Sequence, residues 1–448
     1  VWSGLVLGEP TARGLAGAVS RAIGDGTLAS GEKLPPIRQV ARELGLSPTT
    51  VSAAWQLLAR SGAILADGRR GTVVAEPRAT GPRRYRRALP RQAPFELDLS
   101  TGVPDPGLLP DLAPALRRVH ATAPGSYLDD PVVPALEAVL RQRWPYEPER
   151  LTILDGAMDA LDHVAGQVLR LGDRAVVENP CFPPLLDLLD ALGVTPIGIP
   201  LDQAGPVPAA LSEALTQRPA AVFLQPRAQN PTGVSWTAAR SRELAAALAA
   251  HPSTVVGSAP VIIEDDSAGD IATAPAISLG AARPDQTVHI RSFSKSHGPD
   301  LRLAAVSGPA SIVDPLMERR LLGQGWTSRL LQHILLDLLT DESTVDNVDR
   351  ARREYARRRR LVAEPLRQGG VIVDAADGIN LWLPVADESA ALVSLAAGGI
   401  GAAGGAAFLV GGGPPHLRVT VGLVATGHAD LARSLSHAAR AGGWTGPR

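Results

Sequence analysis

The chain is poor in lysine and cysteine, and each shortage limits what it can be. Of 44 Lys plus Arg only two are lysine, Lys33 and Lys295, so one side-chain primary amine lies beyond residue 33. Arginine serves wherever a plain positive charge suffices, and lysine should persist where arginine chemistry fails. A guanidinium stays protonated, whereas an amine can be desolvated, lose its proton and condense with an aldehyde. A lysine left over by chance is the competing explanation. The single cysteine, Cys181, excludes an internal disulfide framework and suits a reducing compartment. No run approaches the roughly 18 apolar residues of a membrane span. The opening residues lack the basic, apolar and small-residue succession of a secretory signal, so the expectation is a cytoplasmic protein. None of the nine histidines sits at metal-ligand spacing from cysteine or another histidine, and no metal site is expected.

What is present is a long, apolar and electrically divided chain. Its 448 residues, 45% hydrophobic, suffice for two or three domains. Residues 1–94 carry 14 Lys/Arg and 6 Asp/Glu, a net of +8, and residues 95–448 carry 30 and 39, a net of −9. A basic head on an acidic body points to nucleic acid at one end, with a merely solvated arginine-rich linker as the alternative.

In the head, Leu15, Val19 and Ile23 lie on one face of a first helix. A short second helix after Pro35-Pro36 turns Ile37, Val40, Ala41 and Leu44 inward and ends at Gly45. Ser47 is a good N-cap and Pro48 suits the first position of a third helix with Val51, Ala54, Trp55 and Leu58 buried. The interval between the last two is that of a helix-turn-helix. Residues 63–74 alternate around Asp67-Gly68 as a hairpin wing with Arg69 and Arg70 at its tip.

Leu34-Pro-Pro-Ile-Arg38, Leu44-Gly-Leu-Ser-Pro-Thr-Thr-Val51 and Gly68-Arg-Arg-Gly-Thr72 resemble the winged-helix domain of the GntR family of bacterial regulators. The resemblance implies double-stranded DNA binding through Arg38, Ser47, Thr49, Thr50, Arg69, Arg70 and Gly71. Helix N-termini and hydroxyls bind phosphate, and arginine reads guanine edges or enters a minor groove. Pro48 departs from the arginine that often follows the capping serine. Residues 1–75 are thus expected to form a winged helix-turn-helix domain. Residues 76–97 are an Arg/Pro-rich linker whose four prolines and one glycine before residue 96 deny it a long helix.

From residue 98 short apolar runs alternate with helix-length stretches. Ala175–Glu178, Ala220–Leu224, Val261–Glu264 and Thr287–Ile290 read as buried strands, and 156–171, 183–192 and 237–250 as helices. The pattern is α/β with a mainly parallel sheet, whose functional groups gather at the carboxyl ends of strands. A large domain of about 140–335 and a small one of about 336–448 are expected.

Those ends carry what pyridoxal 5'-phosphate requires. Lys295 would take its aldehyde, Asp265 its pyridine nitrogen, Asn230 in Gln229-Asn-Pro-Thr-Gly233 its phenolate oxygen, and Phe182 its ring. Asp155-Gly-Ala-Met158 opens a helix whose free amides attract phosphate. Taken singly, each has an ordinary alternative: a strand-end cap, a turn, a core ring. Together and in this order they resemble the fold-type I pyridoxal phosphate enzymes, the aspartate aminotransferase superfamily, over residues 98–448.

That resemblance implies a phosphate cup of Ala157, Met158, Ser292, Ser294 and Arg302, with Tyr127 reaching the phosphate of a neighbouring subunit in a homodimer. It also implies Arg418 as the partner of a substrate or effector carboxylate; a surface arginine on a strand is the alternative. Ser267 stands where the family usually has a tyrosine, which leaves the reactivity of Lys295 open. Asn230 looks like the enzymes. Gly399-Ile-Gly-Ala-Ala-Gly404 matches a dinucleotide fingerprint in form but lacks the acidic partner, so no such site is expected. The arginines of 350–360 read as the solvated face of a long helix. Head and body together resemble the MocR type of regulator, which implies a small amine or amino-acid effector. A true aminotransferase with an accessory head, and a body that only dimerises, are the alternatives.

Overall fold

The computed structural model describes residues 2, 10–24, 27–29, 31–60, 64–67, 71–74, 83–89, 95–119, 126, 129–251, 259–373 and 376–442. Two compact units divide the chain. One comprises Val1–Gly81, Arg170–Asp173 and Leu189–Thr195, and the other Pro82–Leu169, Arg174–Leu188 and Pro196–Arg448.

In the first unit, helices Ala12–Gly24, Ile37–Leu44 and Pro48–Arg60 pack around one core. Leu15, Val19, Val40, Ala41, Val51, Ala54, Trp55 and Leu58 fill it, the periodic positions of the sequence. The turn between the last two helices is set by Gly45, which takes a left-handed φ of 64° and donates its N–H to the Ala41 carbonyl. A residue with a Cβ pays for that conformation, glycine does not. Ser47 then caps the third helix, its Oγ accepting from the Thr50 amide at 3.0 Å. Strands Ile64–Asp67 and Gly71–Val74 pair antiparallel, Ile64 opposite Val74 and Asp67 opposite Gly71, and Lys33 bridges to Val73. The wing tip with Arg69 and Arg70 lies outside the described residues.

The second unit is built on an eight-stranded sheet. Its order is Arg150–Leu154, Ala304–Gly308, Thr287–Ser292, Val261–Asp266, Ala221–Leu224, Arg174–Asn179, Thr195–Asp202 and Gly205–Pro206. The run from Thr287–Ser292 to Arg174–Asn179 is parallel, and Ala304–Gly308 is antiparallel to both its neighbours. Every residue of Thr287–Ser292, Ala221–Leu224 and Ala304–Gly308 is buried, as in strands covered on both faces. Helices Ala157–Val168, Pro183–Leu192 and Ala238–Ala250 fall within or on the expected stretches.

A three-stranded sheet, Leu381–Pro384, His416–Val419 and Ala403–Gly404, shares a second core with helices Glu342–Gln368 and His428–Ala439. Gly399–Gly404 runs through two short strands, Ile400–Gly401 and Ala403–Gly404, into the 3-10 helix Gly405–Phe408.

One expectation fails here. Arg358 and Arg359 are not solvated but buried in the long helix Glu342–Gln368. Arg358 reaches Asp105 at 2.6 Å and the Gly422 carbonyl at 2.7 Å, and Arg359 donates to the Gly378 and Ala376 carbonyls. Their forked donors satisfy loop carbonyls, a use that composition cannot distinguish from solvation.

The linker stretch holds a six-residue helix, Arg83–Ala88, between Pro82 and Pro90. The Arg84 amide donates to both Asp187 oxygens, at 3.0 and 3.1 Å, and Ala88 packs with Trp382, Ala403 and Phe408. No helix among the described residues is long and apolar enough to cross a membrane.

Candidate functional site

Strand register brings the site together. Ser292 lies opposite Ala304, Ala304 opposite Leu154, and Asp265 and Asp266 opposite Ile290 and Arg291. The loops that follow or precede these ends therefore converge: Asp155-Gly156, Arg302, Phe293–Ser296 and Ser267.

Lys295 sits half-buried in the turn after Thr287–Ser292, its Nζ donating to Ser267 Oγ at 3.3 Å. Burial pushes its pKa below the ordinary lysine value; Asp265 opposes that, and Arg418 adds to it. Asp265 is 5% exposed at the end of Val261–Asp266. Its Oδ2 accepts from Gln225 Nε2 at 2.7 Å, and its Oδ1 is buried with no hydrogen-bond partner among the described residues. Burial raises this carboxyl to about 6, against the Gln225 bond and the Lys295 charge. Neighbouring Asp266 behaves oppositely, since Arg227, bonded to it through Nε and Nη2, outweighs burial and holds it below the usual range.

Gln225 organises the rest. Its Oε1 accepts from the Asn230 amide at 2.8 Å, and its own amide donates to Glu178 at 3.1 Å. Glu178 is buried, which lifts it to about 8. Asn230 turns its Oδ1 toward Arg418 Nη1 at 3.4 Å. Arg418 is 2% exposed on His416–Val419, so the surface-arginine alternative is excluded. Its Nη2 donates to the Ser100 carbonyl, and its guanidinium lies 5.2 Å from the centre of the Phe408 ring. Gly102, with φ of 70°, lies against the guanidinium, where a Cβ would come within 3.1 Å of Nη1.

The other expected groups occupy the adjoining loops. Gly156, with φ of 102°, precedes helix Ala157–Val168, whose first turn with Ala157 and Met158 has no side-chain cap. Arg302 folds over it; a Cβ on Gly156 would meet Nη2 at 2.8 Å, and Nη2 donates to the Asp155 carbonyl at 3.3 Å. Ser292 Oγ accepts from the Ser294 amide at 3.3 Å. Phe182 is half-buried just before helix Pro183–Leu192. Tyr127 lies outside the described residues, but its flanks are held by Arg329, which donates to the Asp129 and Asp130 carbonyls at 2.9 and 2.8 Å.

Sequence reasoning did not single out Gln225, Glu178, Gly102 or Phe408. Gln225 carried a usable signal, being polar and placed right after the apolar strand Ala221–Leu224.

In the head, Ser47 Oγ lies 2.7 and 2.8 Å from the hydroxyls of Thr49 and Thr50, three oxygens at one helix N-terminus. Arg38 and Arg42 line a concavity of about 460 Å³ with Ala41, Leu46 and Pro48. Gly71, with φ of 88°, faces Lys33, whose Cε a Cβ would approach to 2.9 Å.

Comparison with known proteins agrees with both halves. Residues 11–74 match the family described as bacterial regulatory proteins, gntR family, and residues 96–435 match aminotransferase class I and II. Over 401 residues the chain is 36% identical to the vitamin B6 salvage pathway transcriptional repressor PtsJ of Salmonella typhimurium, covering 88% of this chain and 90% of that protein. It is 29% identical over 367 residues to the pyridoxine biosynthesis transcriptional regulator PdxR of Corynebacterium glutamicum, covering 78% and 77%. The body shares its fold with α-aminoadipate aminotransferase LysN of Thermus thermophilus, at a TM-score of 0.68 and 23% identity over 76% of this chain and 91% of that one. With a GntR head and a class I and II aminotransferase body in one polypeptide, the chain belongs to the MocR type of GntR-family regulators.

Proposed function

We propose that this chain is a cytoplasmic transcriptional regulator that binds operator DNA through its winged head. In this reading its body holds pyridoxal 5'-phosphate on Lys295 to sense an amine, an amino acid or the cofactor itself. The observation that carries the reading is the buried, unpartnered Oδ1 of Asp265 in the cluster that holds a desolvated lysine. An orphaned carboxylate oxygen is costly unless something arrives to donate to it, and a protonated pyridine nitrogen does so.

Asp265 would keep the proton on that nitrogen, and Asn230 would donate its amide to the phenolate oxygen. Phe182 would lie against the ring, and Ala157, Met158, Ser292, Ser294 and Arg302 would hold the phosphate. Gly156, having no Cβ, lets the Arg302 guanidinium lie against the helix start, and the uncapped amides after it are the donors an anion needs. When bound, the cofactor supplies an electron sink for charge developing beside the amine nitrogen. The depressed pKa of Lys295 makes its amine neutral at lower pH than an ordinary lysine's, the form that would hold the cofactor's aldehyde. Arg418 would take the carboxylate of such a ligand, and Ser267 is placed to hold the Lys295 amine.

The head would contact DNA through Arg38, the Ser47, Thr49 and Thr50 cluster, Gly71 and the tip arginines Arg69 and Arg70. A homodimer is part of the proposal. Leu321, Leu322 and Leu330 are 66, 79 and 59% exposed, and Arg329, next to Leu330 in sequence, donates to the Asp129 and Asp130 carbonyls. Apolar surface of this kind asks for a partner.

A catalytic aminotransferase is the second reading, favoured by the contact between Asn230 and Arg418. The purified chain with pyridoxal phosphate should show a visible absorption band that Lys295→Ala abolishes; absence of the band sinks the cofactor reading. Sustained turnover of amino donors and 2-oxo acids would replace the sensor with an enzyme.

A further inference from the structure

We propose that Phe408 couples occupancy of the Arg418 site to the linker helix Arg83–Ala88, making that helix the element through which ligand state leaves the body. The proposal rests on the reading of Arg418 as a carboxylate partner.

Both ends of the linker helix stand on elements that begin at the site. At its start, the Arg84 amide is held by Asp187 of helix Pro183–Leu192, the helix that opens immediately after Phe182. At its end, Ala88 is 4% exposed against Phe408 and Trp382. Phe408 in turn presents its ring to the Arg418 guanidinium at 5.2 Å and to Trp382 at 5.5 Å. Its carbonyl accepts from the Cys181 amide at 2.7 Å, next to Phe182, and the Val410 amide donates to Asn179 Oδ1 at 3.1 Å. One short segment, residues 405–410, thus touches the carboxylate-reading arginine, the ring-bearing loop and the linker helix.

Arg418 already spends Nη2 on the Ser100 carbonyl and Nη1 on Asn230. A carboxylate ligand competes for those donors and draws the guanidinium from the Phe408 ring. Phe408, Ala88 and Ala403 are 1, 4 and 0% exposed, and a close-packed interior passes such a shift on rather than absorbing it. Ala88 then loses its seat and the helix loosens.

The linker supplies its own reporter, because Arg83, Arg84, Arg86 and Arg87 are trypsin sites within the helix. The test uses the full chain with N-(5'-phosphopyridoxyl)-L-alanine and with N-(5'-phosphopyridoxyl)ethylamine, which lacks only the carboxylate. Binding is followed separately by equilibrium dialysis. The alanine ligand should speed cleavage at these arginines by ~5-fold or more relative to the ethylamine ligand. Ala88→Glu should bind both ligands as the parent does, yet be cut rapidly and equally with either. Phe408→Ala should lose the difference and Phe408→Tyr retain it.

Equal cleavage of the parent with the two bound ligands overturns the coupling and leaves the cofactor reading standing. An undiminished difference in Ala88→Glu overturns it too. Failure of both ligands to bind removes the cofactor reading, and the coupling with it.

Discussion

Asp265 is an electrostatically strained carboxyl of the site, and its titration exposes the strain. Its folded pKa of about 6 lies above the ~3.9 of an unfolded aspartate, so the cofactor-free protein binds more protons than the unfolded chain between those values. The stability this group contributes is whole below about pH 4 and lost as pH rises through about 6. Asp265→Asn should therefore unfold at a higher temperature than the cofactor-free parent at pH 8, by an equivalent of ~3 kcal/mol, with the gap closing toward pH 4. The same variant should bind pyridoxal phosphate more weakly; a parent and variant with parallel pH–stability curves would refute the strain. Lys295, Asp265, Asn230 and Arg418 were legible in sequence because each chemistry has few residues that serve it and each falls at a strand end or in a distinctive motif. Gln225 was not, since its meaning depends on Asp265 forty residues away. Phe408 sits in a run of glycine and alanine, and its proposed role depends on its contacts with Arg418 and Ala88.

At the scale of elements, the third helix of the head depends on its first residues. Ser47→Ala removes the bond to the Thr50 amide and should cost about 1 kcal/mol in the stability of the head. Ser47→Asp restores an N-cap but places a negative charge where phosphate is proposed to sit. It should melt like the parent in circular dichroism yet bind DNA more weakly than Ser47→Ala; if Ser47→Asp binds as tightly as the parent, the helix start does not face the backbone. The helix itself, the wing and the parallel strands followed from periodicity and caps. The antiparallel pair Arg150–Leu154 and Ala304–Gly308 did not, since five residues of mixed polarity carry too little alternation to mark a strand. The linker helix escaped notice because its arginines announce solvent, and what holds it, Asp187 and the Phe408 cluster, lies far along the chain.

For the whole molecule the account needs two copies and two binding events. Leu321→Asp with Leu322→Asp should shift the chain toward monomer in sedimentation velocity and weaken pyridoxal phosphate binding, because Tyr127 is proposed to serve the neighbouring subunit's phosphate. A variant that becomes monomeric with unchanged cofactor affinity would place the whole site within one chain. The most direct test of the central claim is DNA affinity, measured by fluorescence anisotropy on a fragment from the chain's own upstream region, for parent and Lys295→Ala across a pyridoxal phosphate titration. The parent should change its affinity by ~5-fold or more as the cofactor saturates, and Lys295→Ala should hold one affinity throughout. A parent whose DNA affinity is the same with and without the cofactor would contradict the account.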